Sequence, residues 1–272
     1  MDYIQKYYPH IKSVTVTPMT GELAFGKDSI DWDGYEERPY DILFSGTYTA
    51  PERLATAIKK MPEFLQENVY TLIDMMLKDS TLTIENAVES LAKNEIYDYI
   101  NSDLPLHTQT FYLADAYVRC INRKKLVEAL DKCSNNLHLF GALWEELALK
   151  HATLHREIPF NLTFTVFAKS KISVNIMPNF KAGSHDRVFS AQLNGAVSLT
   201  DPTTLLLKEY EDKKNILFYD LKDINAATEI LNSSLKDLSQ LKKIAQAGYE
   251  VASKRHTWAN ISDLIIDSIN QG

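Results

Sequence analysis

The chain has 272 residues, 45% hydrophobic and 24% charged: enough apolar content for a packed core without disulfide or metal staples, and too much for a disordered chain. Lys and Arg number 29 against 36 Asp and Glu, and the formal net charge of −7 disfavours a nucleic-acid partner while leaving room for a local anion pocket. Cys120 and Cys133 belong to no C-x-x-C or Cys/His cluster, so reduced thiols and no structural zinc are expected.

In chain order, residues 3–8 read as a short helix stopped at Pro9, and the β-branched run 13–17 reads as extended chain ended by Pro18. The opening MDYIQKYYPHIK shows no apolar signal-peptide stretch. Nor does any apolar run in the chain approach the ~18 residues of a membrane span, so a cytoplasmic protein without a membrane span is expected. Residues 21–40 carry Gly21, Gly26, Gly34 and Pro39, a linker composition. Ile42-Leu43-Phe44 is a short apolar strand closed by Gly46. After Pro51 the pattern turns helical, and over residues 58–104 it stays so: Leu65, Val69, Leu72, Ile73 and Met76 share a face, and Thr83 can cap the next helix. This stretch reads as a helical insertion, followed by a helix around 108–131. Strands are expected at 136–140, 172–176, 196–200 and 215–219, with a weaker one near 158–160 and helices between. Short apolar strands alternating with helices predict an α/β fold, a doubly wound parallel sheet covered on both faces, with ligands bound outside the strands' carboxyl ends. The tail is helical, with one stripe of Leu238, Leu241, Ile244, Ala245, Gly248 and Ala252 and another of Trp258, Ile261, Leu264, Ile265 and Ile269.

The run from Lys171 to Asp201 reads as strand, proline-stopped loop, helix, glycine turn, strand. N–H groups at a helix start attract anions, and Gly183 would let the backbone approach a phosphate. Lys181, His185 and Arg187 add cations or donors at the same end. From the residues alone, an anion site and an ordinary capped helix with solvated charges both stand. Asp31-Trp32-Asp33 has the D-x-D spacing of some metal sites but sits in the linker, where two carboxylates do not make a positioned oxygen set. His151 and His155 have the spacing of one helix face, and Trp258, on an apolar stripe, reads as packing.

The string NIMPNFKAGSHDRVFSAQLNGAVSLTD resembles the CgeB-like family, the spore-maturation-type glycosyl transferases of GT-B fold. Collinear pieces agree with it: residues 42–48 (ILFSGTY), 140–144 (FGALW), 170–172 (SKI), 215–219 (NILFY), 244–249 (IAQAGY) and 256–258 (HTW). The resemblance implies that residues 39–272 are the Rossmann-like, nucleotide-sugar-binding C-terminal domain of a GT-B enzyme, with the insertion at about 58–104. Residues 1–38 would be a remnant of the N-terminal acceptor-side domain plus linker. It implies transfer of a sugar from a nucleotide-sugar donor, UDP-linked, to a glycan, protein or small-molecule acceptor, without metal or other cofactor. The missing domain would come from a partner chain or a homo-oligomer, and the chain alone would be inactive. The alternative is a non-enzymatic nucleotide-sugar-binding module acting within an assembly.

Carried across position by position, the resemblance puts Gly46, Thr47 and Tyr48 near the diphosphate, with Lys181, Gly183 and Ser184 holding phosphates or sugar. It makes His185 and Arg187 the catalytic residues, as leaving-group contacts that stabilise the departing nucleoside diphosphate. Gly141 and Trp144 fall on the nucleobase side, Ser190 at the ribose, and Thr200 and Asp201 at the pocket rim. One departure stands out. Many related enzymes place one Glu before the helix and a second inside it, the latter gripping the ribose; those positions here are Ala182 and Ser190.

Overall fold

Six parallel strands form one sheet in the order β3-β2-β1-β4-β5-β6. They are β1 (Tyr40–Ser45), β2 (Leu137–Phe140), β3 (Thr153–His155), β4 (Ser170–Val174), β5 (Val197–Thr200) and β6 (Leu217–Phe218). The computed structural model describes residues 4, 8–26, 29–91, 104–133 and 136–271; most of the expected 3–8 helix, and residues 92–103 of the insertion, lie outside these. The doubly wound α/β class expected from the sequence is present. Ile42 of β1 pairs with Leu137 on one side and with Ile172 on the other, so the strand order reverses about β1. The loops leaving β1 and β4 therefore diverge at the carboxyl edge, the switch point where such sheets bind ligands.

The sheet is covered on both faces, and β4 is buried at every position although Ser170, Lys171 and Ser173 are polar. On one face Ile42, Phe44, Leu139, Ile172, Val174 and Leu199 form the main core with α4 (Leu104–Cys133), α8 (Ile224–Ser234) and α9 (Leu238–Arg255). On the other, Leu43 and Phe140 pack with Phe164 and Phe167 of α5 (Phe160–Phe167) and Ala191 of α6 (Asp186–Leu193).

The insertion has its own core. Ile58 of α1 (Pro51–Ile58), Val69, Leu72 and Met76 of α2 (Glu63–Lys78) and Ala87 of α3 (Ile84–Leu91) pack on Leu113, Ala114 and Val118 of α4. Thr83 caps α3 by accepting the Asn86 N–H at 3.3 Å. Further along α4, Leu126, Val127 and Leu130 turn into the sheet core, so one 30-residue helix ties the insertion to the sheet. The remaining helices are α7 (Thr204–Glu209) and α10 (Trp258–Gln271). As expected, α9 buries Leu241, Ile244, Ala245 and Ala252, whereas Trp258, Ile265, Ile266 and Ile269 of α10 are exposed.

Three local expectations are corrected. The outer strand is Thr153–His155, and residues from Phe160 onward are helical, because Pro159 sets the helix start in a segment whose apolar residues suit either state. His151 and His155 share no helix: His151 is in a loop and His155 ends β3. Within residues 21–40, despite their linker composition, Gly21, Ala24, Tyr35 and Arg38 are buried. Gly21 donates to His256 O at 2.7 Å, and a Cβ there would stand 2.6 Å from the Phe189 carbonyl carbon. The buried Tyr35 donates its hydroxyl to Lys171 O at 3.0 Å, and Arg38 donates to Ser170 O and Gly195 O at 2.9 and 2.8 Å. At Gly21 glycine marks close approach rather than freedom.

Candidate functional site

At the β1 exit the backbone is held tightly. Gly46 N–H donates to Phe140 O at 2.9 Å and Tyr48 N–H to Ala142 O at 3.0 Å. A Cβ on Gly141 would lie 2.1 Å from Gly46 O, so the two loops can meet only if that residue is glycine. Arg187, in the first turn of α6, reaches across to donate to Ser45 O, and a Cβ on Gly46 would lie 3.0 Å from its Nη1. From the opposite side Arg123 of α4 donates to Thr47 O. Two guanidiniums thus bracket Gly46.

The loop between β4 and α6 is fixed from below by Asp201, which is fully buried. Its carboxylate accepts the Met177 N–H and pairs with Lys181 Nζ, each at 2.6 Å. Burial pushes the Asp201 carboxyl up, and Lys181 pulls it back. Thr200 is also buried and receives the Asn175 amide at 3.1 Å. The loop then passes through Asn179 with φ 69°, a left-handed conformation that Asn tolerates.

His185 caps α6: its side chain accepts the Arg187 N–H. Asp186 lies against the His185 ring and also accepts that N–H, at 2.8 Å. Burial raises the Asp186 carboxyl, but the His185 and Arg187 contacts outweigh it and hold the group below its usual range. Burial pushes Arg187 down to about 10, with Arg123 adding repulsion and Asp186 opposing. Burial likewise lowers Arg123, with the Cys120 thiol opposing and Arg119 reinforcing the shift.

These groups open onto a cleft of about 440 Å3 lined by Asp115, Arg119 and Arg123 of α4, Glu85 of α3, the 176–180 turn, and Ser184, His185 and Arg187. Arg119 and Asp115 pair at 2.7 Å, and burial raises Asp115 against that pairing. In an acidic protein the cleft concentrates three arginines at the end of a parallel sheet, where an anion gains most from them. A second hollow, of about 550 Å3, lies between α8 and α9 beside β6 and away from the strand exits.

Of the residues singled out in the sequence, Ser184, His185 and Arg187 come together at the cleft, and Gly46 and Thr47 border it through the arginines. The others serve its walls. Trp144 is 1% exposed, stacks on the buried Tyr48 at 5.6 Å and donates its Nε1 to Gly46 O at 2.8 Å. A Cβ on Gly183 would meet the ring of the exposed Phe180 at 2.6 Å, and the ring would have to swing aside. Ser190, 2% exposed, accepts the Glu22 N–H at 3.1 Å, and Asn194 beside it receives Ala24 N–H and donates to Glu22 O. Lys181, Thr200 and Asp201 form the buried support already described.

Sequence reasoning missed Asp115, Arg119 and Arg123. Their signal was available as an i, i+4, i+8 ladder of charges on a helix whose other positions include Leu113, Ala114 and Val118 of the core. The D-x-D carboxylates have local uses: Asp31 accepts the Gly34 N–H at 3.0 Å, and Asp33 lies 3.9 Å from Lys242. No group of three or more metal-ligating side chains, and no helix long and apolar enough to cross a membrane, exists among the described residues. Cys120 and Cys133 are unbonded thiols.

A doubly wound parallel sheet with an arginine-lined cleft at its switch point defines a Rossmann-like α/β domain. The chain belongs to the glycosyl transferase-like family, whose profile matches residues 122–267. That span runs from Asn122 through the sheet and α6 into α10, and includes Arg123 and Arg187. Among solved structures, the chain is similar to Anabaena Alr3699/HepE in complex with UDP-glucose, at 16% identity and TM-score 0.46, over 54% of this chain and 44% of that one. It is also similar to sucrose-phosphate synthase from Thermosynechococcus elongatus, at 16% identity and TM-score 0.46, over 55% and 42%. The GtfA/B complex aligns over 98% of this chain and 42% of its own, at 11% identity and TM-score 0.47. The chain therefore spans less than half the length of each. No curated protein matches it.

Proposed function

We propose that the chain is the donor-binding part of a GT-B glycosyltransferase, of the CgeB-like kind, that holds a UDP-linked sugar with its diphosphate in the cleft at the start of α6. The observation that carries this reading is Arg187. It lies inside the family segment, its half-buried guanidinium sits at the switch point against Ser45 O, and it lines the cleft at the start of α6. His185 sits beside it as a second contact for the leaving nucleoside diphosphate. Together they would stabilise the charge that develops on the β-phosphate as the glycosidic bond to the donor breaks, without a metal ion. The acceptor, whether glycan, protein or small molecule, would be bound by a further domain, a partner chain or a second copy.

A second reading, a nucleotide-sugar-binding module without transferase activity, draws on Ser190. It stands where related enzymes carry a ribose-gripping Glu, and its hydroxyl is taken by Glu22 N–H. Calorimetric titration with UDP, UDP-glucose and GDP-mannose tests both. The proposal expects binding of the uridine ligands and its loss in Arg187→Ala; no binding of any nucleotide would overturn it. Release of free glucose from UDP-glucose by this chain would eliminate the binding-module reading.

A further inference from the structure

We infer that α4, the helix on which the insertion packs, supplies half of the diphosphate site through Arg123 and Arg119; this rests on reading the cleft as a nucleotide site. Arg123 and Arg187 approach the β1 exit from different helices and bond the carbonyls of Thr47 and Ser45, the two neighbours of Gly46. The Nε of Arg123 is buried and has no hydrogen-bond partner. A buried donor left unmatched is costly, and an acceptor supplied from outside the chain would relieve that cost.

The electrostatics agree with the geometry. Burial disfavours the charge on both guanidiniums, and Arg123 adds repulsion at Arg187 as Arg119 does at Arg123. The carboxylates nearby are engaged: Asp115 pairs with Arg119 at 2.7 Å, and Asp186 accepts the Arg187 backbone N–H at 2.8 Å. Glu85 also faces the cleft, from α3, and tempers its charge. An anion with two adjacent charged groups suits this arrangement, one phosphate beside each guanidinium, although Arg187 also bonds Ser45 O and the His185 ring and Arg123 also bonds Thr47 O. A diphosphate matches two such charges better than a monophosphate does. Arg119, one helical turn from Arg123, lines the same cleft and would contact the outer phosphate. The helix that carries the insertion is thereby part of the binding site.

Calorimetry on the full chain with UDP, UMP, uridine and inorganic pyrophosphate tests the inference. UDP and pyrophosphate should bind, UMP at least about tenfold more weakly than UDP, and uridine weakest. Arg123→Ala should weaken UDP about 30-fold, the usual order for one member of a buried, hydrogen-bonded charge contact, and leave uridine unchanged. Arg123 also holds Thr47 O, so Arg123→Lys, which keeps the charge and loses the fork, and Arg119→Ala are measured beside it; both should weaken UDP and pyrophosphate. UDP binding that disappears in Arg187→Ala yet stays within about twofold of wild type in Arg119→Ala and Arg123→Lys would overturn the inference and leave the proposed function standing. No UDP binding by wild type would overturn both.

Discussion

Lys181 and Asp201 show how the same residue types can support a site instead of forming its surface. Their ion pair is buried, with Asp201 at 0% exposure. Removing one partner leaves an uncompensated charge, so Lys181→Ala should cost about 3–5 kcal/mol by urea denaturation. Lys181→Met combined with Asp201→Asn should recover most of that loss, and two independent losses that simply add would contradict the pairing. Gly141 is the other residue-scale constraint. Gly141→Ala drives a Cβ into Gly46 O, and should destabilise by at least about 2 kcal/mol on the same assay. Both residues were visible in the sequence as members of a suggestive pattern. What the pattern could not supply was direction: Lys181 points to Asp201 from a position that also suits a phosphate, and Trp144 spends its indole N–H on Gly46 O.

Among the elements, the sheet was the most legible, because its strands appear as short runs carrying Ile, Leu, Val and Phe, bounded by Gly and Pro. The 172–176 and 136–140 runs lie within two residues of β4 and β2. The outer strand was not legible, since Thr153–His155 is short and partly exposed, and so carries little apolar signal. The strap at residues 21–24 was not legible either: its order comes from Ser190 and Asn194, far away in sequence. Hydrogen exchange should therefore quicken at Glu22 and Ala24 in Ser190→Ala and Asn194→Ala while α6 stays protected; unchanged exchange would contradict the tether.

The end of α9 adds a pH dependence of definite sign. His256 is buried against Phe189 and paired with Glu209 at 2.7 Å; burial lowers its pKa below 6.5, and Glu209 only partly offsets this. His138 and His155 are lowered too, first by burial. Below 6.5 the unfolded chain binds more protons at these rings than the folded one, so they cost stability as the pH falls through that value. The burial-raised carboxyls of Asp115 and Asp201 act in the opposite sense. The melting temperature should drop on acidification from about pH 7 to about pH 5.5, and the His256 ring should titrate below its ordinary value in an NMR series. A ring that titrates above it would reverse the sign.

On the scale of the whole molecule, a chain of net charge −7 gathers Arg119, Arg123 and Arg187 at one sheet edge, and two separate segments must fold to do it. Net charge concealed this concentration, whereas the 171–201 block revealed its α6 half. The α4 half lay in the helix expected around 108–131, to which sequence reasoning assigned no role in the site. The central claim is that this edge cradles a diphosphate. A crystal structure of the chain soaked with UDP tests it most directly. The account predicts density for both phosphates between Arg187 and Arg123, against the α6 start. Phosphates bound elsewhere, or a cleft still empty in crystals of a chain that binds UDP in solution, would contradict it.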